Sequence, residues 1–132
     1  METATLPEPI SSPLTTSYRP GLHVLATFAA PAAALRDVAR YQDFTTALVA
    51  RQRLTCVGAV YHAFADEGGF TAVLALTESH LSLHTWPEHG VATFDVYLSN
   101  FRQDNHATVR AVYAETLAFF SGEVRTYSEV LR

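Results

Sequence analysis

Between Thr55 and Leu98 the chain offers four strand-like runs in close succession, and these constrain the fold more than any other feature. Thr55 to Phe64, Phe70 to Thr77, Ser79 to Thr85 and Val91 to Leu98 are rich in β-branched, aromatic and alternating apolar residues. Asp66-Glu67-Gly68-Gly69 and Pro87 to Gly90 read as turns between them. Leu22 to Ala30 is an earlier strand, stopped at Pro31, whose ring suits the first position of a helix. Leu35, Val38, Tyr41, Phe44 and Leu48 then recur at three- and four-residue steps, which predicts one amphipathic helix reaching about Arg53. Asp104 or Asn105 caps a second helix with Val109, Val112, Tyr113, Thr116 and Phe120 on its inner face. Gly122 closes that helix, and Val124 to Leu131 form a last strand. The order β-α-β-β-β-β-α-β predicts an α+β fold, a two-layer sandwich of an antiparallel sheet with both helices on one face.

Residues 1–20 hold four prolines and many Ser and Thr, the composition of a flexible tail, so the folded domain is expected over 21–132. At 132 residues the chain is one domain, small enough that an active site can need a second subunit. A net charge of −4 gives no support for nucleic acid as a partner. No window approaches the ~20 apolar residues of a membrane span. The N-terminus lacks a basic start followed by an apolar core, so no secretory leader is expected. The single cysteine, Cys56, excludes an internal disulfide and fits a reducing cytoplasm. All nine basic residues are arginines. Without a lysine, neither the internal aldimine of pyridoxal phosphate nor a P-loop amine is available.

Glu78-Ser79-His80-Leu81-Ser82-Leu83-His84-Thr85-Trp86-Pro87-Glu88 is the segment that carries chemistry. It follows a strand-forming run, which places it at a sheet edge or cleft. A serine between a carboxylate and an imidazole suggests a hydrolase nucleophile, but the glycines of a G-x-S-x-G elbow are absent. Ser79 has a second possible use, attack on its own preceding carbonyl. Its Oγ adds to the Glu78 carbonyl and turns the peptide into an ester. Loss of the Cα proton then expels the Glu78 carboxylate, and the dehydroalanine left behind hydrolyses to a pyruvoyl group. This route needs donors for the oxyanion and a base for the Cα proton. Thr71 lies eight residues before Ser79, on the same face of a regular strand. His84 is a candidate base, but its odd spacing from Ser79 demands a break or bulge between them. No metal centre is expected, because His80, His84 and His89 with Glu78 and Glu88 do not form a zinc spacing. Taken singly, Ser79 is a strand-surface serine, Phe64 a core residue, and Asp95 a structural acceptor inside a β run.

Glu78 to Gly90, followed by Phe94-Asp95-Val96-Tyr97, resembles the processing and active-site signature of prokaryotic S-adenosylmethionine decarboxylase, a family of pyruvoyl-dependent proenzymes. The likeness extends loosely from Gly21-Leu22-His23 through His62-Ala63-Phe64 to Gly122. It implies cleavage of the Glu78–Ser79 bond into chains 1–78 and 79–132, with Ser79 becoming the covalent pyruvoyl cofactor. His84 would assist processing, with Thr71 in the place of a helping hydroxyl. Phe64 would stack on the adenine of the substrate, Glu88 would hold its ribose hydroxyls, and Trp86 joins them in the substrate-binding set. The pyruvoyl carbonyl would form a Schiff base with the substrate amine, consistent with a chain that has no lysine. The implied assembly is a homodimer of processed protomers, acting in polyamine and spermidine biosynthesis.

The sequence departs from the family pattern at three places. The proton donor, a cysteine twenty residues after the processing serine, is here Ser99, whose hydroxyl is a far weaker acid than a thiol of pKa ~8.5. Thr27 stands where a carboxylate is common, and Asn100 to Asn105 replaces a glycine-containing acidic stretch. These changes leave two alternatives. One is the same chemistry on arginine or ornithine, giving agmatine or putrescine. The other is an inactive relative serving as a regulatory partner.

Overall fold

A computed structural model describes residues 18–100 and 103–132. The expected tail falls mostly outside them. Six strands form one sheet, and every neighbouring pair is antiparallel. They are β1 (Leu22–Ala29), β2 (Cys56–Ala63), β3 (Phe70–Leu76), β4 (Ser79–Trp86), β5 (Val91–Leu98) and β6 (Glu123–Leu131), in the spatial order β2-β3-β4-β5-β1-β6. The α+β sandwich foreseen from the element order is therefore present.

The pleat sorts the residues. On β1, Leu22, Val24, Ala26 and Phe28 are buried, whereas Leu25 and Thr27 face outward. On β5 the buried set is Ala92, Phe94, Val96 and Leu98. Leu81, Leu83 and Thr85 continue the buried side on β4, and Phe70, Ala72, Leu74 and Leu76 on β3. Helices cover only this side, through Leu35, Tyr41, Leu48, Val109 and Val112. Each fully buried Leu or Phe contributes roughly 1.5–3 kcal/mol relative to exposure. The opposite face of the sheet carries no helix among the described residues.

Among the described residues three α-helices form rather than two. The first expected helix is broken at Asp37 into α1 (Ala32–Arg36) and α2 (Val38–Arg51). Asp37 is non-helical (φ −93°, ψ 79°), and its Oδ1 accepts the Arg40 N–H at 3.0 Å, capping α2. The apolar spacing runs straight through the break, so periodicity alone cannot show it. In α3 (His106–Phe119) the left-handed closing residue is Ser121 (φ 50°), not the expected Gly122. Gly122 is instead where backbone meets core, because a Cβ there would lie 2.8 Å from Phe28 Cδ1 and 2.7 Å from Leu117 Cδ1.

Candidate active site

The polar segment forms β4, the third strand of six, so it occupies the middle of the sheet and not the edge. His80, Ser82, His84 and Trp86 alternate with buried residues and emerge on the helix-free face. β4 pairs with both neighbours without a register shift, so the break or bulge expected between Ser79 and His84 is absent.

That regularity splits the expected site residues into two groups. Thr71 pairs with His84 at one end of the β3–β4 hairpin, and Ser79 pairs with Leu76 at the other. Five residues of strand separate Ser79 from His84 by roughly 16 Å at about 3.3 Å per residue. Thr71 and Ser79 therefore do not share a strand face as the spacing suggested. They belong to different strands, joined by a turn at Thr77 and Glu78.

The group at the His84 end lines one cavity of about 300 Å³. Phe64, Thr71, His84, Trp86 and Glu88 surround it, together with Gly68, Gly69 and Thr85. Thr71 Oγ1 and His84 Nδ1 share a hydrogen bond of 3.0 Å. Phe64 is 52% exposed and Trp86 40% exposed, so both rings are available to a ligand. A 3₁₀ turn at Pro87–His89, followed by Gly90 in the left-handed region (φ 66°), carries Glu88 back to the rim. The floor is pinned by Thr85, whose buried Oγ1 accepts the Phe70 N–H at 2.9 Å and donates to the Leu35 carbonyl at 2.7 Å. Gly69 is required here, because a Cβ would come within 2.2 Å of the Thr85 carbonyl oxygen.

At the Ser79 end the backbone is strained. Ser79 has φ 150°, a region that side chains rarely adopt, at a cost of order 1–3 kcal/mol. The carbonyl oxygen of Glu78, just before it, accepts the Ser99 N–H at 2.8 Å. The Glu78 side chain turns away, with Oε1 accepting the Thr55 N–H at 3.3 Å. Ser99 thus reaches the Glu78–Ser79 bond through its backbone. Cys56, remote in sequence, pairs with Leu76, the residue opposite Ser79, and so stands two strands away in the same cross-strand row.

The sequence reading also missed a polar cluster. Asp95 Oδ2 accepts from His23 Nε2 at 2.7 Å and His80 Nε2 at 2.8 Å, and Asp95 Oδ1 accepts from the Ser82 hydroxyl. Burial pushes the Asp95 carboxyl up, but these hydrogen bonds outweigh it and hold the group below its usual value. The available signal was the alternation of His80 and Ser82 on one strand face. Their long-range partners His23 and Asp95 could not be paired with them from spacing.

Comparison with known proteins places this geometry in a family. The model described as S-adenosylmethionine decarboxylase matches residues 22–132, and the chain belongs to that family. It is similar to the S-adenosylmethionine decarboxylase proenzyme of Aquifex aeolicus, with 41% identity over 78 residues, covering 58% of this chain and 57% of that protein. The proenzyme of Pyrobaculum arsenaticum is 38% identical over 85 residues, covering 61% of this chain and 66% of the relative. These matches span less than two thirds of the curated relatives' length. The crystal structure of the adenosylmethionine decarboxylase from Aquifex aeolicus superposes with a TM-score of 0.70 at 27% identity, over 87% of this chain and 90% of that one.

Proposed function

We propose that this chain is a self-processing, pyruvoyl-dependent decarboxylase acting on S-adenosylmethionine. One observation carries the reading: a strained Ser79 follows a carbonyl already gripped by a backbone donor. When Ser79 Oγ adds to the Glu78 carbonyl, negative charge develops on the oxygen that Ser99 N–H holds. A fixed donor at that position stabilises the charge without reorganisation. Turning the peptide into an ester also offers Ser79 a way out of its φ.

The residues present fit a pyruvoyl group at position 79: the position holds a serine in strained backbone, and the carbonyl before it is held by the Ser99 N–H at 2.8 Å. Once formed, the group supplies a ketone that takes up the substrate amine and accepts the electron pair released with carbon dioxide.

His84 and Thr71 act in this scheme as a proton-handling pair, hydrogen-bonded to each other beside the aromatic cavity. They cannot reach Ser79 of their own protomer along a regular strand. A second copy, packed against the helix-free face, brings its Thr71–His84 pair to this Ser79, so the working form is a homodimer. Phe64 and Trp86 offer ring faces to an adenine, and the Glu88 carboxylate accepts from ribose hydroxyls. A flat nucleoside fits such a cavity better than the aliphatic chain of arginine or ornithine. No described helix is long and apolar enough to cross a membrane. The proposed activity would serve spermidine synthesis in the cytoplasm.

Intact-mass spectrometry tests the reading. Processing gives two chains, 1–78 and a pyruvoyl-headed 79–132, and the purified protein releases carbon dioxide from S-adenosylmethionine. A single uncut chain favours the inactive-relative alternative, and turnover of arginine or ornithine alone rejects the substrate.

A further inference from the structure

We propose that His23, Asp95 and His80 form a binding site for a divalent transition-metal ion of the zinc or cobalt kind. The three stand on adjacent strands of the helix-free face. His23 on β1 and His80 on β4 both pair with Tyr97 on β5, and Asp95 lies one pleat further along that central strand. Both imidazoles reach inward to the same oxygen, Asp95 Oδ2, and the three donor atoms lie within 4.8 Å of one another.

The arrangement has the features of a ligand set. Ser82 donates to Asp95 Oδ1, which fixes the rotation of the carboxylate and leaves Oδ2 between the two Nε2 atoms. His23 is 8% exposed, whereas the His80 side chain is 39% exposed, so an ion enters a single protomer from the His80 side, before a second copy covers this face. Ligand atoms about 2.0–2.1 Å from zinc lie roughly 3.3 Å apart in a tetrahedron. Each Nε2 would move about half an ångström away from Oδ2, from 2.7 and 2.8 Å, and the two Nε2 atoms, within 4.8 Å of each other, would settle to the same spacing. Two imidazole nitrogens and one carboxylate suit zinc, cobalt or nickel, whereas magnesium and calcium prefer oxygen donors. On uptake the ion replaces the Nε2 protons, which pass to Nδ1 or to solvent. The Arg132 guanidinium, 3.4 Å from His23 Nδ1, opposes the added charge and limits affinity. Sequence spacing could not show this site, because the register of three strands assembles it.

Cobalt(II) titration of the whole chelator-treated chain tests the site, followed by visible absorption and calorimetry without substrate. The expected result is one ion per chain with ligand-field bands. His80→Ala and Asp95→Asn each weaken uptake at least tenfold, and His89→Ala, outside the cluster, leaves it unchanged. Zinc raises the thermal midpoint of the wild-type chain and not that of His80→Ala. Circular dichroism of His80→Ala, whose side chain is partly exposed, checks that its fold is intact. Absence of saturable uptake by the wild-type chain, or equal affinity in folded His80→Ala, overturns the proposal.

Discussion

The backbone N–H of Ser99 donates to the carbonyl oxygen of Glu78 at 2.8 Å, across the gap between β5 and the β3–β4 turn. This ties the position where the family pattern has a cysteine to the bond proposed for self-cleavage. The tie runs through the main chain, so it survives the change from thiol to hydroxyl. The two roles of residue 99 can therefore be separated. Ser99→Pro deletes the donor, and cleavage measured by intact mass slows by about 10²–10³-fold, the usual loss for one oxyanion donor. Ser99→Cys retains cleavage and restores a thiol, so carbon dioxide release per processed chain rises.

Thr71 and His84 depend on each other in the same way. Thr71→Val keeps the shape of the side chain but removes the 3.0 Å hydrogen bond that orients the imidazole. Cleavage then slows, and His84→Ala slows it further, toward the 10²–10⁴-fold typical of a lost proton-transfer group. The double variant falls little below His84→Ala alone, because the hydroxyl acts through the ring. Time courses of chain cleavage in the three variants check this.

The core contains a removable defect. Tyr41 is fully buried among Phe44, Phe70, Phe119 and Phe120, and its hydroxyl has no hydrogen-bond partner among the described residues. Burial drives its ionisation far above the usual range, so the group remains a neutral, unsatisfied phenol. Tyr41→Phe removes a desolvated polar atom and leaves a gap of one oxygen. Stability in chemical denaturation rises by about 1 kcal/mol.

Acid weakens the fold through two carboxylates. Asp95 is held below its usual value by Ser82, His23 and His80, and Glu129 falls to about 2 through hydrogen bonds from Arg110 and Tyr127. Both bind protons less readily folded than unfolded, so their contributions are complete above the unfolded pKa and are lost as pH falls. For Glu129 the window runs from about 4.5 down to about 2. Thermal midpoints therefore decline through that range. Asp95→Asn flattens the decline, and added salt flattens the part due to exposed Glu129.

The strands were legible because their period of two matches burial on one face, as Leu22, Val24, Ala26 and Phe28 show. The break at Asp37 was not, because Leu35 and Val38 keep helical spacing across it. The residues of the aromatic cavity were legible through the motif, and the structure gathers Phe64, Thr71, His84, Trp86 and Glu88 around one hollow. Their separation from Ser79 was not, since it follows from how β3 folds back on β4. Asp95 was legible as an acceptor inside a strand, but its pairing with His23 was not, because two residues 72 apart leave no local pattern.

The strand order determines what a cut between 78 and 79 would leave behind. The leading piece holds β1, β2 and β3, and the trailing piece β4, β5 and β6, yet β1 is inserted between β5 and β6. The halves are interleaved like the fingers of two hands, each zipped to the other along three seams. They would migrate as one particle in native conditions and separate only when the whole sheet melts.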